Sequence, residues 1–221
     1  AVATEMYGFP FTQPFPDLAK TSCLIVVGAN PAVSKWSFLQ VSNPVKRLRE
    51  LEARGARLYF VDPRKTESAK DAGEHVFIRP NTDPFFYLAF LHEVLARDAV
   101  DHARVDAHMR NYAALRALVE PWTPERCASV TKIPAARLRE LVDAYVEADG
   151  AALYCSTGVN MGSHGSLAFW LQEVINAITG NLDRRGGSLV GRGVIDFAKF
   201  GVKHGVLMRK DRSRIGNFAA V

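Results

Sequence analysis

Four short clusters in this 221-residue chain bring together residue types suited to a phosphorylated, hydrogen-bonding ligand: Gly28-Ala29-Asn30-Pro31, Asp62-Pro63-Arg64-Lys65, Asn81-Thr82-Asp83 and Ser156-Thr157-Gly158-Val159-Asn160. A glycine at position 28 lets a phosphate approach the backbone with no Cβ in the way, and Asn30 offers an amide donor beside a carbonyl acceptor. Asp62 can accept two hydrogen bonds from ribose hydroxyls or from a guanine edge, and Arg64 can neutralise a diphosphate or stack on a base. Three of the clusters also have a purely structural reading. Residues 28–31 suit a strand-ending turn, Asp62-Pro63 opens turns beside a solvated Arg64, and Asp83 before Pro84 suits a helix N-cap. The last role is compatible with ligand binding, because a helix N-terminus attracts anions.

Other chemistries lack their residues. No strand is followed by GxGxxG, and GxxxxGK[ST] is absent, so neither a standard dinucleotide fingerprint nor a P-loop is present. The six histidines, at 75, 92, 102, 108, 164 and 204, include no HxxxH pair, and no metal site is expected. Gly162-Ser163-His164-Gly165-Ser166 has the wrong order for a nucleophile elbow. Cys23, Cys127 and Cys155 are 104 and 28 residues apart, with no CxxC, which argues against structural zinc and a disulfide scaffold. Cys23 and Cys155 sit in apolar strand contexts and read as core thiols.

All four clusters follow short apolar runs, and a short continuous apolar run is what a strand buried on both faces looks like. Strands are predicted at 23–27 (CLIVV), 57–61 (RLYFV), 75–78 and 151–155 (AALYC). Asn43-Pro44 is a cap-plus-proline start for a helix over 44–54, with Gly55 as its C′ residue. Asp83-Pro84 repeats the signal for a helix with a broad apolar face from Phe85 to Leu95. The stretch 101–148 reads as helical with breaks near Asn111, at Pro121 and at Pro134, and Gly165 to Thr179 carries a helical stripe through Leu167, Trp170, Leu171, Val174, Ile175 and Ile178. Alternating strands and helices indicate an α/β fold, a parallel sheet covered on both faces. In such a sheet ligands bind at the carboxyl ends of the strands, where all four clusters would then converge. Residues 1–22, with several Pro, Gly and aromatic positions and no periodicity, read as an irregular lead-in.

The composition is that of a globular protein, 48% hydrophobic and 23% charged. No apolar run is long enough to span a bilayer and no signal peptide opens the chain, so the reading is a cytoplasmic chain, with periplasmic export of a longer form left open. The absent initiator Met and the abrupt end at Val221 suggest a piece of a longer polypeptide. Net charge is +5, and the segment from Arg184 to Arg214 holds nine Lys and Arg against Asp196 and Asp211. That segment suits phosphates, or is a solvated tail.

Six strings in order and at matching spacing resemble the molybdopterin oxidoreductase superfamily, the group of dimethyl-sulfoxide reductases, periplasmic nitrate reductases and formate dehydrogenases. They are VGANP at 27–31, VDPRKTESA at 61–69, IRPNTD at 78–83, WTPE at 122–125, STGVNMGSHG at 156–165 and ITGNLDRRGG at 178–187. The resemblance implies a longer polypeptide binding molybdenum or tungsten through two molybdopterin guanine dinucleotides. This chain would be a Rossmann-like domain holding one of them, over residues 23–187, with 188–221 leading to the next domain. Carried over by position, the cofactor contacts fall on Gly28, Ala29 and Asn30, on Asp62, Arg64 and Lys65, on Asn81, Thr82 and Asp83, and on Thr157, Gly158, Asn160 and Met161. Many members carry Gln where Met161 stands and Gly in place of Asn81.

The resemblance further implies a 4Fe-4S cluster and the metal-ligating residue in an upstream domain, to which nothing in residues 1–22 corresponds. Its partners would be the remaining domains of the same polypeptide, a small-molecule substrate and an electron-transfer partner, with no nucleic acid and no membrane segment. Arg192-Gly193 follows residues 178–187 at a distance close to that of an arginine-glycine pair in formate dehydrogenases, which makes Arg192 the candidate for orienting an anionic substrate. The chain alone would hold cofactor without turnover. Two other classes stay open on the residues alone: a nucleic-acid module using the basic segment, which has only Phe197 and Phe200 as aromatics, and a partner-binding α/β domain.

Overall fold

The computed structural model describes residues 2–8, 12–35, 41–191 and 197–204. In chain order the elements are α1 (Val2–Tyr7), β1 (Pro14–Pro16), β2 (Cys23–Val27), α2 (Pro31–Ser34), α3 (Pro44–Ala53), β3 (Arg57–Val61), α4 (Glu67–Asp71), β4 (Glu74–Val76), α5 (Asp83–Ala96), α6 (His102–His108), α7 (Tyr112–Val119), α8 (Pro124–Thr131), α9 (Ala135–Val146), β5 (Ala151–Cys155), α10 (Thr157–Asn160), α11 (Gly165–Ile178), β6 (Ser188–Val190) and α12 (Phe197–Lys203). Local chemistry sets the helix starts. The side chains of Asn43, Thr66, Asp101 and Thr123 accept from the backbone amides of Lys46, Ala69, Arg104 and Arg126, and α3 and α8 carry proline in their first turn. The predicted breaks at Asn111, Pro121 and Pro134 are the junctions between α6, α7, α8 and α9.

Four strands form a parallel sheet in the order β4-β3-β2-β5. Ile25 sits between Tyr59 and Leu153, so β2 is central and all five of its residues are buried. Side chains alternate across the sheet. Cys23, Ile25 and Val27 join a core with Phe86, Phe90, Leu141, Tyr145, Leu171 and Ile175 from α5, α9 and α11, whereas Leu24 and Val26 pack with Leu48, Leu51 and Ala69 from α3 and α4. Phe90 and Tyr145 meet edge to face with centroids 5.4 Å apart. Each such large side chain contributes about 1.5–3 kcal/mol on burial, and with helices on both faces the strands read as continuous apolar runs.

β5 is an edge strand whose outer backbone groups are met by side chains. Asn176 Nδ2 donates to the Leu153 carbonyl at 3.1 Å, its Oδ1 accepts from the Leu153 amide at 3.0 Å, and Asn181 Oδ1 accepts from the Ala151 amide at 3.1 Å. These carboxamides occupy the place of a further strand and block pairing there.

Three expectations are corrected. β4 runs from Glu74 to Val76 and not over 75–78, because pairing with β3 ends at Val61–Val76 and Phe77 is half-exposed. Asp83 is not the N-cap: Asn81 takes a left-handed φ of 64°, Thr82 becomes the cap, and Asp83 is the first helical residue. The lead-in is not irregular throughout, since it forms α1 and β1. β1 pairs antiparallel with β6, matching Phe15 to Leu189, and Asp17 reinforces the tie by accepting from the Gly186 amide at 3.0 Å. Residues 14–16 and 188–190 are joined by this second small sheet.

Candidate functional site

Because the four long-sheet strands are parallel, the turns that follow them lie along one edge, and direct hydrogen bonds link them into a continuous rim. The chain runs from β2 outward through β3 to β4, then crosses to place β5 on the other side of β2. The strand order therefore reverses between β2 and β5, which is where open α/β sheets leave a crevice for ligands. Gly28 and Gly158 face each other at that point. The Gly158 amide donates to the Gly28 carbonyl at 2.9 Å. A Cβ on Gly158 would lie 2.6 Å from that oxygen, and Gly28 has φ +57° with Val159 N only 2.8 Å from where its Cβ would be. Both positions require glycine for this approach.

The β3 turn is tied to both neighbours. Gly28 donates its amide to the Val61 carbonyl at 3.0 Å, the Asp62 amide donates to Val76 at 3.1 Å, and His75 Nε2 lies 2.9 Å from the Asp62 carbonyl. Asp62 Oδ1 accepts from the Arg64 amide at 2.9 Å, an Asx turn that sets the direction of the loop. Beyond β4, Asn81 reaches the β5 side: its Oδ1 accepts from the Ser163 amide at 2.8 Å and its Nδ2 donates to Ser163 Oγ at 3.0 Å.

The candidate residues divide by what their side chains do. Asn30, Asn81 and Thr82 brace the rim. Asn30 Oδ1 accepts from Ser68 Oγ at 2.7 Å and its Nδ2 donates to Glu67 Oε2 at 2.6 Å, while Thr82 Oγ1 donates to the Arg79 carbonyl at 2.6 Å. Ala29 is packed into the smaller core, leaving only its backbone for a ligand. Asp83 is buried, and that burial, reinforced by the nearby charge of Asp62, raises its carboxyl above the usual carboxylate range. Arg64 and Lys65 are exposed, and Arg64 is engaged edge-on by Glu67, with both Nη atoms 3.1 Å from its oxygens. Arg192 lies outside the described residues.

Thr157, Asn160 and Met161 line a cavity of ≈ 540 Å³ beyond the end of β5. Asn160 Oδ1 faces the thiol of Cys155 at 3.8 Å, and Met161 is 81% exposed. The far wall is Val2, Ala3, Thr12, Gln13 and Pro14, so the lead-in belongs to this cavity. Sequence reading missed it because the wall depends on the non-local pairing of β1 with β6. Beneath the cavity a buried polar chain runs from the Tyr7 hydroxyl, which bonds the Glu173 carboxyl, through Gln172 Nε2 to Glu173 Oε1 at 2.9 Å and from Tyr87 to Gln172 Oε1 at 3.2 Å. Glu173 is raised by burial. Burial likewise pushes the Cys23 thiol up to about 12 and Cys127 to about 11, and drives Cys155 higher still, so all three are poor nucleophiles. Glu67 and Ser68 are the other residues that sequence reading passed over: an acidic first-turn residue has an ordinary structural explanation. Among the described residues no three His, Cys, Asp or Glu side chains form a metal site, and no helix is long and apolar enough to cross a membrane.

Comparison with known proteins agrees with this arrangement. Residues 1–215 match the family model of the molybdopterin oxidoreductases. The chain is 22% identical over 175 residues to an F420-dependent formate dehydrogenase alpha subunit of Methanocaldococcus jannaschii, covering 79% of this chain and 25% of that protein. It is 26% identical over 170 residues to formate dehydrogenase H of Escherichia coli, covering 76% and 23%. Against the periplasmic nitrate reductase of Desulfovibrio desulfuricans the identity is 24% over 187 residues, covering 79% and 24%. The chain thus spans about a quarter of the length of the curated relatives it matches. The solved structure of acetylene hydratase from Pelobacter acetylenicus superposes with a TM-score of 0.72 at 21% identity, over 86% of this chain and 25% of that one, and shares the fold.

Proposed function

The chain belongs to the molybdopterin oxidoreductase family, and from that premise we propose that it holds one guanine dinucleotide of a bis-pterin molybdenum or tungsten cofactor along the carboxyl edge of its sheet. The observation that carries this reading is the reversal of strand order between β2 and β5, with Gly28 and Gly158 closing the floor of the crevice. The donor set fits the ligand. Backbone amides of the Gly28, Asn81 and Thr157 turns suit phosphate and ribose oxygens, and a carboxylate at Asp62 suits the N–H donors of guanine.

The metal bound through such a cofactor would supply two-electron redox chemistry. This chain's own residues bind and orient: Asn30, Asn81 and Thr82 brace the turns, and Thr157, Asn160 and Met161 line the cavity next to them. The metal-ligating residue, a 4Fe-4S cluster, the substrate and the electron-transfer partner are assigned to the rest of a longer polypeptide and its surroundings. The experiment is Asp62→Ala in the full-length protein, followed by acid release and quantification of guanine nucleotide and metal per polypeptide. Loss of one hydrogen-bonded charged partner is worth about 1.5–3 kcal/mol, so occupancy should fall under limiting cofactor. Unchanged occupancy contradicts the role of Asp62.

A further inference from the structure

A second cavity, of ≈ 400 Å³, opens between α5 and α7, lined by His92, Leu95 and Ala96 of the first helix and by Arg116, Val119 and Glu120 of the second. It is remote from the strand-end crevice. α5 leaves the rim at Asp83, and nine residues of helix carry the chain roughly 13 Å further before His92 is reached.

Two observations mark this cavity. Among the described residues, the buried side-chain polar atoms that lack a hydrogen-bond partner are His92 Nδ1 and Tyr112 Oη, one on each of the two helices that form it. An orphaned buried atom is a place where bound solvent or a ligand group completes the hydrogen bonding. Glu93 does not fill that role. Its carboxylate is 3.7 Å from His92 Nδ1, beyond hydrogen-bond distance, and is already held by Arg97 at 3.2 Å and Arg139 at 3.4 Å. The second observation is the separation of Arg116 from Glu120. At i and i+4 on α7 such a pair normally meets. Here Arg116 leans back one turn, with its guanidinium carbon 5.9 Å from the centre of the Tyr112 ring, and neither charge has an ion-pair partner among the described residues. A helical side chain slants towards the N-terminus, which favours the Tyr112 contact over Glu120. The cavity thus presents an unpaired cation, an unpaired anion and an imidazole around the apolar surface of Leu95 and Val119, which are buried.

We propose that the α5–α7 cavity binds a small zwitterion, an α-amino acid with a branched aliphatic side chain, whose carboxylate meets Arg116, whose ammonium meets Glu120, and whose apolar end lies on Leu95 and Val119 beside His92. The assignment is independent of the cofactor site at the strand ends. A planar guanidinium suits a carboxylate, and an ammonium group bridges to Glu120 the charge that Arg116 leaves unmatched.

The test is an NMR titration of the full 221-residue chain with three probes of one carbon skeleton: L-leucine, which carries both charges, 4-methylpentanoate, which lacks the ammonium, and 3-methylbutylamine, which lacks the carboxylate. L-Leucine should move the His92 imidazole resonances and the amides of α5 and α7, and each singly charged probe should bind about two- to fivefold more weakly, the worth of one exposed charge pair. Arg116→Gln should lower L-leucine to the affinity of the amine while keeping its lead over 4-methylpentanoate. Glu120→Gln should do the reverse, lowering L-leucine to the level of the carboxylate and keeping its lead over the amine. Misfolding does not produce this crossed pattern, because it weakens all three probes alike. The proposal is overturned if no probe moves the His92 resonances, in which case the cavity holds solvent only. It is equally overturned if the parent binds the three probes with equal affinity, or if either substitution lowers all three together.

Discussion

The carboxamide of Asn176 pairs with both backbone groups of Leu153, donating to its carbonyl at 3.1 Å and accepting from its amide at 3.0 Å, and also accepts from the Tyr145 hydroxyl at 2.8 Å. One fully buried side chain thereby closes the exposed edge of the sheet next to the strand whose end forms the cavity. Asn176→Leu preserves bulk but orphans those groups, and the expected loss of stability is about 3 kcal/mol. The urea midpoint of the chain reads it out; a midpoint within error of the parent contradicts the role given to Asn176.

A second expectation concerns the floor of the crevice. Gly158 has an ordinary helical backbone, so alanine there would normally help α10. The Gly28 carbonyl only 2.6 Å from the position of the new Cβ reverses that sign. Gly158→Ala should lower stability by about 1–3 kcal/mol and reduce cofactor content in the full-length protein. A thermal midpoint equal to or above that of the parent would show that the two turns can part freely.

The buried carboxyl of Glu173 gives the chain a defined pH response. Burial raises it, against hydrogen bonds from Tyr7 and Gln172 that pull the other way, so the folded chain keeps this proton to higher pH than the unfolded chain does. Its contribution is full below the unfolded value of about 4.3 and is lost as pH rises through the folded value. Asp83 is raised by burial too and adds a slope of the same sign. Glu173→Gln removes this buried titration while keeping an oxygen for Tyr7, so the difference in urea midpoint between pH 5 and pH 8 should shrink. An undiminished difference assigns the pH response elsewhere.

Arg192, outside the described residues, is the residue that the family resemblance makes the candidate for orienting an anionic substrate. Arg192→Lys keeps the charge and removes the bidentate fork. In the full-length enzyme with its natural substrate, kcat/KM should drop sharply with cofactor content unchanged. Turnover like that of the parent in both Arg192→Lys and Arg192→Ala places Arg192 away from the substrate.

Much of the sheet was legible because burial on both faces writes itself as an unbroken apolar run: CLIVV, RLYFV and AALYC give β2, β3 and β5 to the residue. β4 was harder, since only three of its residues pair and Phe77 continues the apolar pattern without continuing the ladder. β1 and β6 carry no such run. PFP and SLV become strands only by pairing across more than 170 residues, which no local pattern encodes. In the site, turn residues were visible by type, but which of them brace and which remain available was not. Asn30 and Asn81 look like ligand donors in sequence and are spent on Glu67, Ser68 and Ser163 once the turns meet. Glu67 was invisible for the converse reason, because its importance comes from Asn30 and Arg64 arriving at one carboxylate from two different strands.

The most direct measurement of the central claim is an experimental structure of the full-length protein carrying its native cofactor. The expected result is a guanine dinucleotide lying across the carboxyl ends of β2, β3 and β5, with guanine N–H donors within about 3.2 Å of the Asp62 carboxylate and phosphate or ribose oxygens on the Gly28, Asn81 and Thr157 turns. A cofactor that is present but touches none of these turns would contradict it.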